Sequence, residues 1–279
     1  MIRIVTDTGS DIPHLKAGAL GMISLELDIK FDEFSYDYRN DLDFTVFYEN
    51  LAKAKSLPRT SQVNPSQYLD VFNDAKEKGD EVVVITLSGG LSGTYASAKI
   101  AQEECGYDGI SIIDSRLAII GQRFQAEYAV KLRDEGKSRT EIEAALINLR
   151  DKMELAASLD TLTYLKKGGR VPPAMAFIGN AFKVKPLIQF NEDGKLEPLG
   201  KVRGFAAAKK AMWDKLEKDG FDTTYPVYFG HTNDEERGKA FMEETKEKFS
   251  ITDCNLFPVG GVIGPHVGPG AIVMIYVKK

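Results

Sequence analysis

Glu-Val-Val-Val-Ile-Thr-Leu at residues 81–87 runs straight into Ser-Gly-Gly-Leu-Ser-Gly-Thr-Tyr at residues 88–95. The first stretch is an unbroken apolar, β-branched run, the pattern of a strand buried on both faces of a parallel sheet. The second opens a helix predicted over 94–102 or beyond. Residues 111–114 (SIID) read as the next strand, with helices to follow over about 121–135 and 139–151. Strand, helix, strand, helix in that order gives βαβ units and a parallel sheet. Upstream, residues 2–6 form a short strand ending in a polar turn, Asp7-Thr8-Gly9-Ser10-Asp11. Phe44, Phe47, Leu51 and Ala54 have helical spacing. Residues 58–62 break that helix, and another starts at Asn64-Pro65-Ser66 and runs through Lys78, with Ser66 as the expected cap.

After about residue 155 the texture changes. Residues 159–167 look helical and end at Gly168-Gly169. Residues 186–190 and 195–199 flank Asn191-Glu192-Asp193-Gly194 and read as a β-hairpin, since Asp-Gly is a strong turn signal. A helix over 206–218, a strand over 226–229, a helix over 235–249 and a closing strand over 271–277 complete the chain. The fold class expected is therefore α/β with two domains. An N-terminal parallel-sheet α/β/α domain spans 1–155, and an α+β domain with a mixed or antiparallel sheet spans 156–279. A ligand is expected in the cleft between them.

A length of 279 residues suits two domains of ordinary size. With 36 basic against 41 acidic residues, a nucleic-acid surface is not indicated. No apolar run approaches the roughly 20 residues that span a bilayer. The N-terminus enters a strand pattern without a signal peptide's apolar core. Cys105 and Cys254 stand alone, without CxxC or metal-ligand spacing, so reduced thiols and a cytoplasmic location are expected.

Three stretches could carry chemistry. The turn at 88–95 lies where open parallel sheets bind ligands, at the carboxyl end of a strand. Its glycines admit close approach, Ser92 and Thr94 supply hydroxyls, and the first amides and dipole of the next helix favour an anion. It matches neither GxxxxGK[ST] nor GxGxxG, and Gly90-Leu91-Ser92-Gly93-Thr94 is not GxSxG. A capped strand-to-helix turn remains the plain alternative. Thr60-Ser61-Gln62 is a second hydroxyl cluster, for which a turn role is the simpler reading. Residues 264–271 build a glycine- and proline-rich loop around His266, one of three histidines, which could donate to an anion or bond a backbone carbonyl. Lys166-Lys167-Gly168-Gly169-Arg170 reads as a helix end with favourable cations, or as a phosphate contact through Arg170, which Arg203 could join. Asp7, Asp11 and Asp114 end strands and are expected to cap turns rather than bind metal.

Ile4-Val5-Thr6-Asp7-Thr8, Thr60-Ser61-Gln62, Leu91-Ser92-Gly93-Thr94-Tyr95, Leu165-Lys166-Lys167-Gly168-Gly169-Arg170 and His266-Val267-Gly268-Pro269-Gly270 occur in one order along the chain. In this they resemble the DegV family of bacterial fatty-acid-binding proteins. The resemblance implies a long-chain fatty acid held between two domains and a role as the acyl-carrying subunit of a fatty acid kinase. A separate ATP-binding subunit would phosphorylate the presented carboxylate. It also implies that Thr60, Ser61, Ser92, the Gly93 amide and His266 hold the carboxylate, and that Arg170 and Arg203 meet a partner or a phosphate. No cofactor, metal or nucleic acid is implied, and transient membrane contact would accompany lipid exchange. The doubled Gly89-Gly90 departs from the single glycine usual there. Residues 174–179 and Phe182 are candidates for the tunnel lining. Two rival readings use the same residues: a serine hydrolase with Ser92 and His266, and a binder of another small anionic metabolite.

Overall fold

The computed structural model describes residues 1–32, 44–175 and 183–279. Its contacts divide the chain into two units, Met1–Ile29 with Arg59–Asp151, and Lys30–Pro58 with Lys152–Lys279. The sequence pattern predicts a first domain unbroken over 1–155. Packing assigns residues 30–58 otherwise, because Phe47, Tyr48 and Leu51 are buried and the Tyr48 hydroxyl donates to the Val259 carbonyl at 2.9 Å.

The first unit holds β1 (Ile2–Asp7), α1 (His14–Ala19) and β2 (Met22–Leu25). The chain leaves it through the short β3 (Ile29–Lys30), forms α2 (Thr45–Lys53) in the second unit, and returns through β4 (Arg59–Thr60). Then come α3 (Pro65–Lys78), β5 (Glu81–Thr86), α4 (Thr94–Cys105), β6 (Ile110–Asp114), α5 (Ile120–Asp134) and α6 (Arg139–Lys152). Strands β2, β1, β5 and β6 lie in that order in one sheet, every pair parallel. Val82, Val83, Val84 and Ile85 are fully buried, as the run of β-branched residues requires. One face packs Ile4, Val83, Ile85 and Ile113 against Ala126, Ala129 and Val130 of α5 and Ile142 and Leu146 of α6. Helices α3 and α4 pack against each other and against β5 and β6. Each fully buried Val or Ile is worth roughly 1.5–3 kcal/mol of transfer free energy. Because all four strands are parallel, Asp7, Leu87 and Asp114 come out at the same edge of the sheet.

The second unit adds β7 (Met153–Ser158), α7 (Thr163–Lys167), β8 (Val184–Phe190), β9 (Leu196–Arg203), α8 (Phe205–Asp219), β10 (Val227–His231), α9 (Glu235–Phe249), β11 (Cys254–Pro258), α10 (Gly264–Val267) and β12 (Ile272–Val277). Its sheet order is β11-β10-β12-β7-β8-β9, with β10 and β11 parallel and the other pairs antiparallel. Ala208, Met212 and Leu216 of α8 and Phe241 of α9 cover Phe229, Met274, Tyr276 and Leu187. At one end, the Tyr276 hydroxyl donates to Asp219 at 2.6 Å, and Lys215 bridges Asp219 and Glu154 at 2.7 and 2.9 Å.

Three expectations change. The 159–167 helix shrinks to α7, and the residues before it form the central strand β7, which pairs with both β12 and β8. The sequence Met-Glu-Leu-Ala-Ala-Ser carries no β-branched residue, so propensity hides a strand that tertiary pairing imposes. The cap of α3 is Asn64, not Ser66. The Asn64 side chain accepts from the Ser66 amide at 3.1 Å, and the Asn64 amide donates to Gln67 Oε1 at 2.9 Å. The stretch around His266 is a helical turn, α10, rather than an irregular loop. The candidate tunnel residues Ala176, Phe177, Ile178, Gly179 and Phe182 lie outside the described residues, and Met175 is buried. Among the described residues, no helix is long and apolar enough to cross a membrane.

Asn64→Ala, which removes the capping box of α3, is expected to lower unfolding free energy in urea by about 1 kcal/mol. Ser66→Ala should leave it nearly unchanged.

Candidate ligand-binding site

The turn after β5 is pinned on both flanks by carboxylates. Asp7, at the end of β1, accepts from the Leu87 amide at 2.8 Å and the Gly9 amide at 2.9 Å. Asp114, at the end of β6, accepts from the Gly89 amide at 3.1 Å and the Arg116 amide at 2.9 Å. Between these clamps Ser88 organises the turn. Its carbonyl accepts from Leu91 and Ser92 at 3.0 and 3.1 Å, and its hydroxyl accepts from the Gly90 amide at 3.1 Å. Glycine at position 89 fits this geometry. A Cβ on Gly89 would lie 2.9 Å from Asp114 Oδ2. Asp7 and Asp114 thus cap turns through backbone amides, as expected of them.

Asp7 is fully buried, and that burial pushes its carboxyl up to about 6 against the opposing influence of Gln122 and of the Leu87 and Gly9 amides. A buried carboxylate that accepts two amides is costly to desolvate but rigidly placed.

The turn delivers Ser92 to the start of α4. Ser92 Oγ accepts from the Thr94 amide at 3.3 Å and lies 2.9 Å from Thr94 Oγ1. Thr94 is fully buried, whereas Ser92 and Gly93 are partly exposed. The second hydroxyl cluster sits against the same helix end. Ser61 is exposed and its amide donates to Asp28 O at 3.1 Å. Gln62 Nε2 donates to Ser97 Oγ at 2.7 Å, and the Val63 amide donates to Thr94 Oγ1 at 3.4 Å. The first unit therefore brings together the 60–63 loop, Ser92, Gly93 and the amide end of α4, where the helix dipole favours an anion.

In the second unit, His266 on α10 lies against the end of α7. A Cβ on Gly168 would fall 2.3 Å from His266 Nδ1, and one on Gly268 would fall 2.2 Å from the Tyr164 ring. Gly169 takes the left-handed conformation (φ 72°) that ends α7, and Arg170 Nη1 donates to the Gly168 carbonyl at 2.7 Å. Burial first, then the Arg170 charge, lowers the His266 imidazole to about 4, so it is neutral at pH 7. At the far side of its segment, Gly270 (φ 81°) packs on Asp160, where a Cβ would fall 2.7 Å from the carboxyl carbon. The basic cluster at 166–170 and the His266 stretch are thus one interlocked piece of structure. Arg203 is exposed at the end of β9, opposite Val184 in register. The sequence reading did not single out Gln62 as distinct from its neighbours. Nor did it foresee that Asp7 and Asp114 would grip the amides on either side of Ser88.

All 279 residues match the family described as "Uncharacterised protein, DegV family". A "DegV domain-containing protein" of Caldanaerobacter subterraneus is 33% identical over 279 residues, covering 100% of this chain and 99% of that one. The chain belongs to the DegV family. A DegV-family structure from Eubacterium eligens, loaded with heptadecanoic acid, is 26% identical, covers 100% of both chains and superposes with a TM-score of 0.85. The Streptococcus pneumoniae Fatty Acid Kinase B3 protein, loaded with linoleic acid, shares the fold at 24% identity and a TM-score of 0.85 over 100% of each chain.

The raised Asp7 carboxyl has a definite pH signature. Its folded value lies above that of an ordinary aspartate, so its contribution to stability is fully present below about 3.9 and is lost as pH rises through about 6. Asp7→Asn cannot ionise. Its stability relative to the parent, followed by urea unfolding, should therefore improve steadily from pH 4 to pH 7.

Proposed function

We propose that this chain binds a long-chain fatty acid and presents its carboxylate to a separate ATP-dependent kinase subunit. In this reading Thr60, Ser61, Ser92, the Gly93 amide and His266 hold the carboxylate. Arg170 and Arg203 meet the partner or the transferred phosphate. The observation that carries the reading is the placement of the Ser92 hydroxyl and the Gly93 backbone at the amide end of α4, where the helix dipole favours a small anion. The DegV-family protein loaded with heptadecanoic acid supports a carboxylate on a long alkyl chain as that anion.

Energetics assign the parts. About 15 methylenes at roughly 0.8 kcal/mol each contribute around 12 kcal/mol gross. One charge-assisted hydrogen bond to the head group adds only about 1.5–3 kcal/mol. Affinity therefore belongs to the tail and orientation to the hydroxyls. In the transfer step a carboxylate oxygen would attack the γ-phosphorus of ATP held by the partner. The P–O bond to ADP breaks, and an acyl phosphate and ADP result. A neutral His266 with Arg170 two residues beyond Gly168 supplies hydrogen bonding and positive charge without a fixed imidazolium.

The hydrolase alternative loses ground on hydrogen bonding. Within its own unit Ser92 Oγ is paired with the Thr94 hydroxyl and amide, neither of which is a base. Fluorophosphonate labelling of Ser92 is expected to be nil.

Native mass spectrometry of the protein incubated with palmitate is expected to show one bound acid. Ser92→Ala should retain the acid but lose most acyl phosphate formation when an ATP-binding partner is added. No uptake of any fatty acid by the parent protein would overturn the reading. Complete loss of lipid from Ser92→Ala would overturn the division between tail and head.

A further inference from the structure

Gly93 has a backbone that does not call for glycine. Its φ of −72° and ψ of 2° are open to any residue. A side chain there would displace Gln62. A Cβ at position 93 would lie 2.0 Å from Gln62 Oε1, 2.8 Å from its Cδ and 3.2 Å from its Nε2. The Gln62 amide thus rests on the bare Gly93 Cα, while its nitrogen reaches Ser97 Oγ, one turn further into α4. Val63, the next residue, gives its amide to Thr94 Oγ1. Two consecutive residues of the 60–63 loop are therefore latched onto the first turns of α4.

The second rung also fixes a proton. Thr94 Oγ1 is fully buried, and its hydrogen-bonding neighbours are the Val63 amide and Ser92 Oγ. An amide N–H can only donate, so the Thr94 hydroxyl proton has Ser92 Oγ as its acceptor. Ser92 Oγ also receives the Thr94 amide. With both acceptor positions filled, the Ser92 proton points away from this cluster. A serine held in that sense is a hydrogen-bond donor, and chained hydroxyls polarise one another toward a charged acceptor.

We infer that Gln62 and Thr94 are positioning residues: Gln62, seated on Gly93, locks the 60–63 loop to α4, and Thr94 sets the Ser92 hydroxyl as a donor to an anionic head group. The inference rests on the fatty-acid reading for the identity of that head group. The latch itself does not depend on that identity.

The test compares palmitate with hexadecanol, which share a tail and differ in head group. Dissociation constants for both are measured on the parent, Gln62→Ala, Gly93→Ala, the double variant, Thr94→Val and Thr94→Ser. Gln62→Ala and Gly93→Ala should each lower the acid-over-alcohol affinity ratio by at least about threefold, and the double variant by no more than either alone. Thr94→Val should lower the ratio similarly and Thr94→Ser should restore it. Losses that add in the double variant, or a ratio that none of the changes moves, would overturn the inference and leave fatty-acid binding standing. If the parent binds no palmitate, the fatty-acid reading fails. The latch is then judged on melting temperatures of the same four proteins in the Gln62/Gly93 cycle. Non-additive losses uphold it and additive losses overturn it.

Discussion

A carboxylate buried at the end of β1 holds the turn after β5 in place. Asp7 is removed from water and offsets that cost with the amides of Gly9 and Leu87. Those bonds tie the end of β1 to the residue at which β5 gives way to the turn. Asp114 does the same from the other side, through Gly89. Everything between the clamps is then determined locally. Ser88 gathers the amides of Gly90, Leu91 and Ser92, and α4 starts with its amide end and the Ser92 hydroxyl on one surface. The parallel sheet makes this possible, because only parallel neighbours bring three strand ends to one edge.

The second unit solves a similar problem with glycines instead of carboxylates. His266 can lie against the end of α7 only because Gly168 has no side chain, and its segment can pass Tyr164 and Asp160 only because residues 268 and 270 have none. At Gly268 and Gly270 a positive φ adds a backbone reason to the steric one. The close packing keeps the imidazole neutral through desolvation and the nearby guanidinium.

How legible this was in the sequence depends on how local each determinant is. Residues 81–87 announce a buried parallel strand because β-branching and continuity are local facts, and Glu235–Phe249 announces a helix for the same reason. The central strand β7 is hidden because Leu155, Ala156 and Ala157 are fixed by partners on β12 and β8, far away in the chain. The hydroxyls of Ser61 and Ser92 could be marked as candidates from their loops alone. The Gln62 amide lying on Gly93 could not, since the reason for a glycine at 93 sits 31 positions upstream and not in its own φ. The grouping of residues 30–58 with the second unit was illegible for the same reason: Tyr48 finds its partner at Val259.

The central claim is that hydrogen-bond donors hold an ionised fatty-acid carboxylate. Carbon-13 NMR of carboxyl-labelled palmitate on the protein tests it most directly. A carboxylate bonded to hydroxyls and a helix amide has its charged form favoured. The account predicts one bound carboxyl resonance, displaced from that of free palmitate, that does not titrate between pH 7 and pH 5. A bound resonance that titrates like the acid in water, or the absence of any bound resonance, would contradict it.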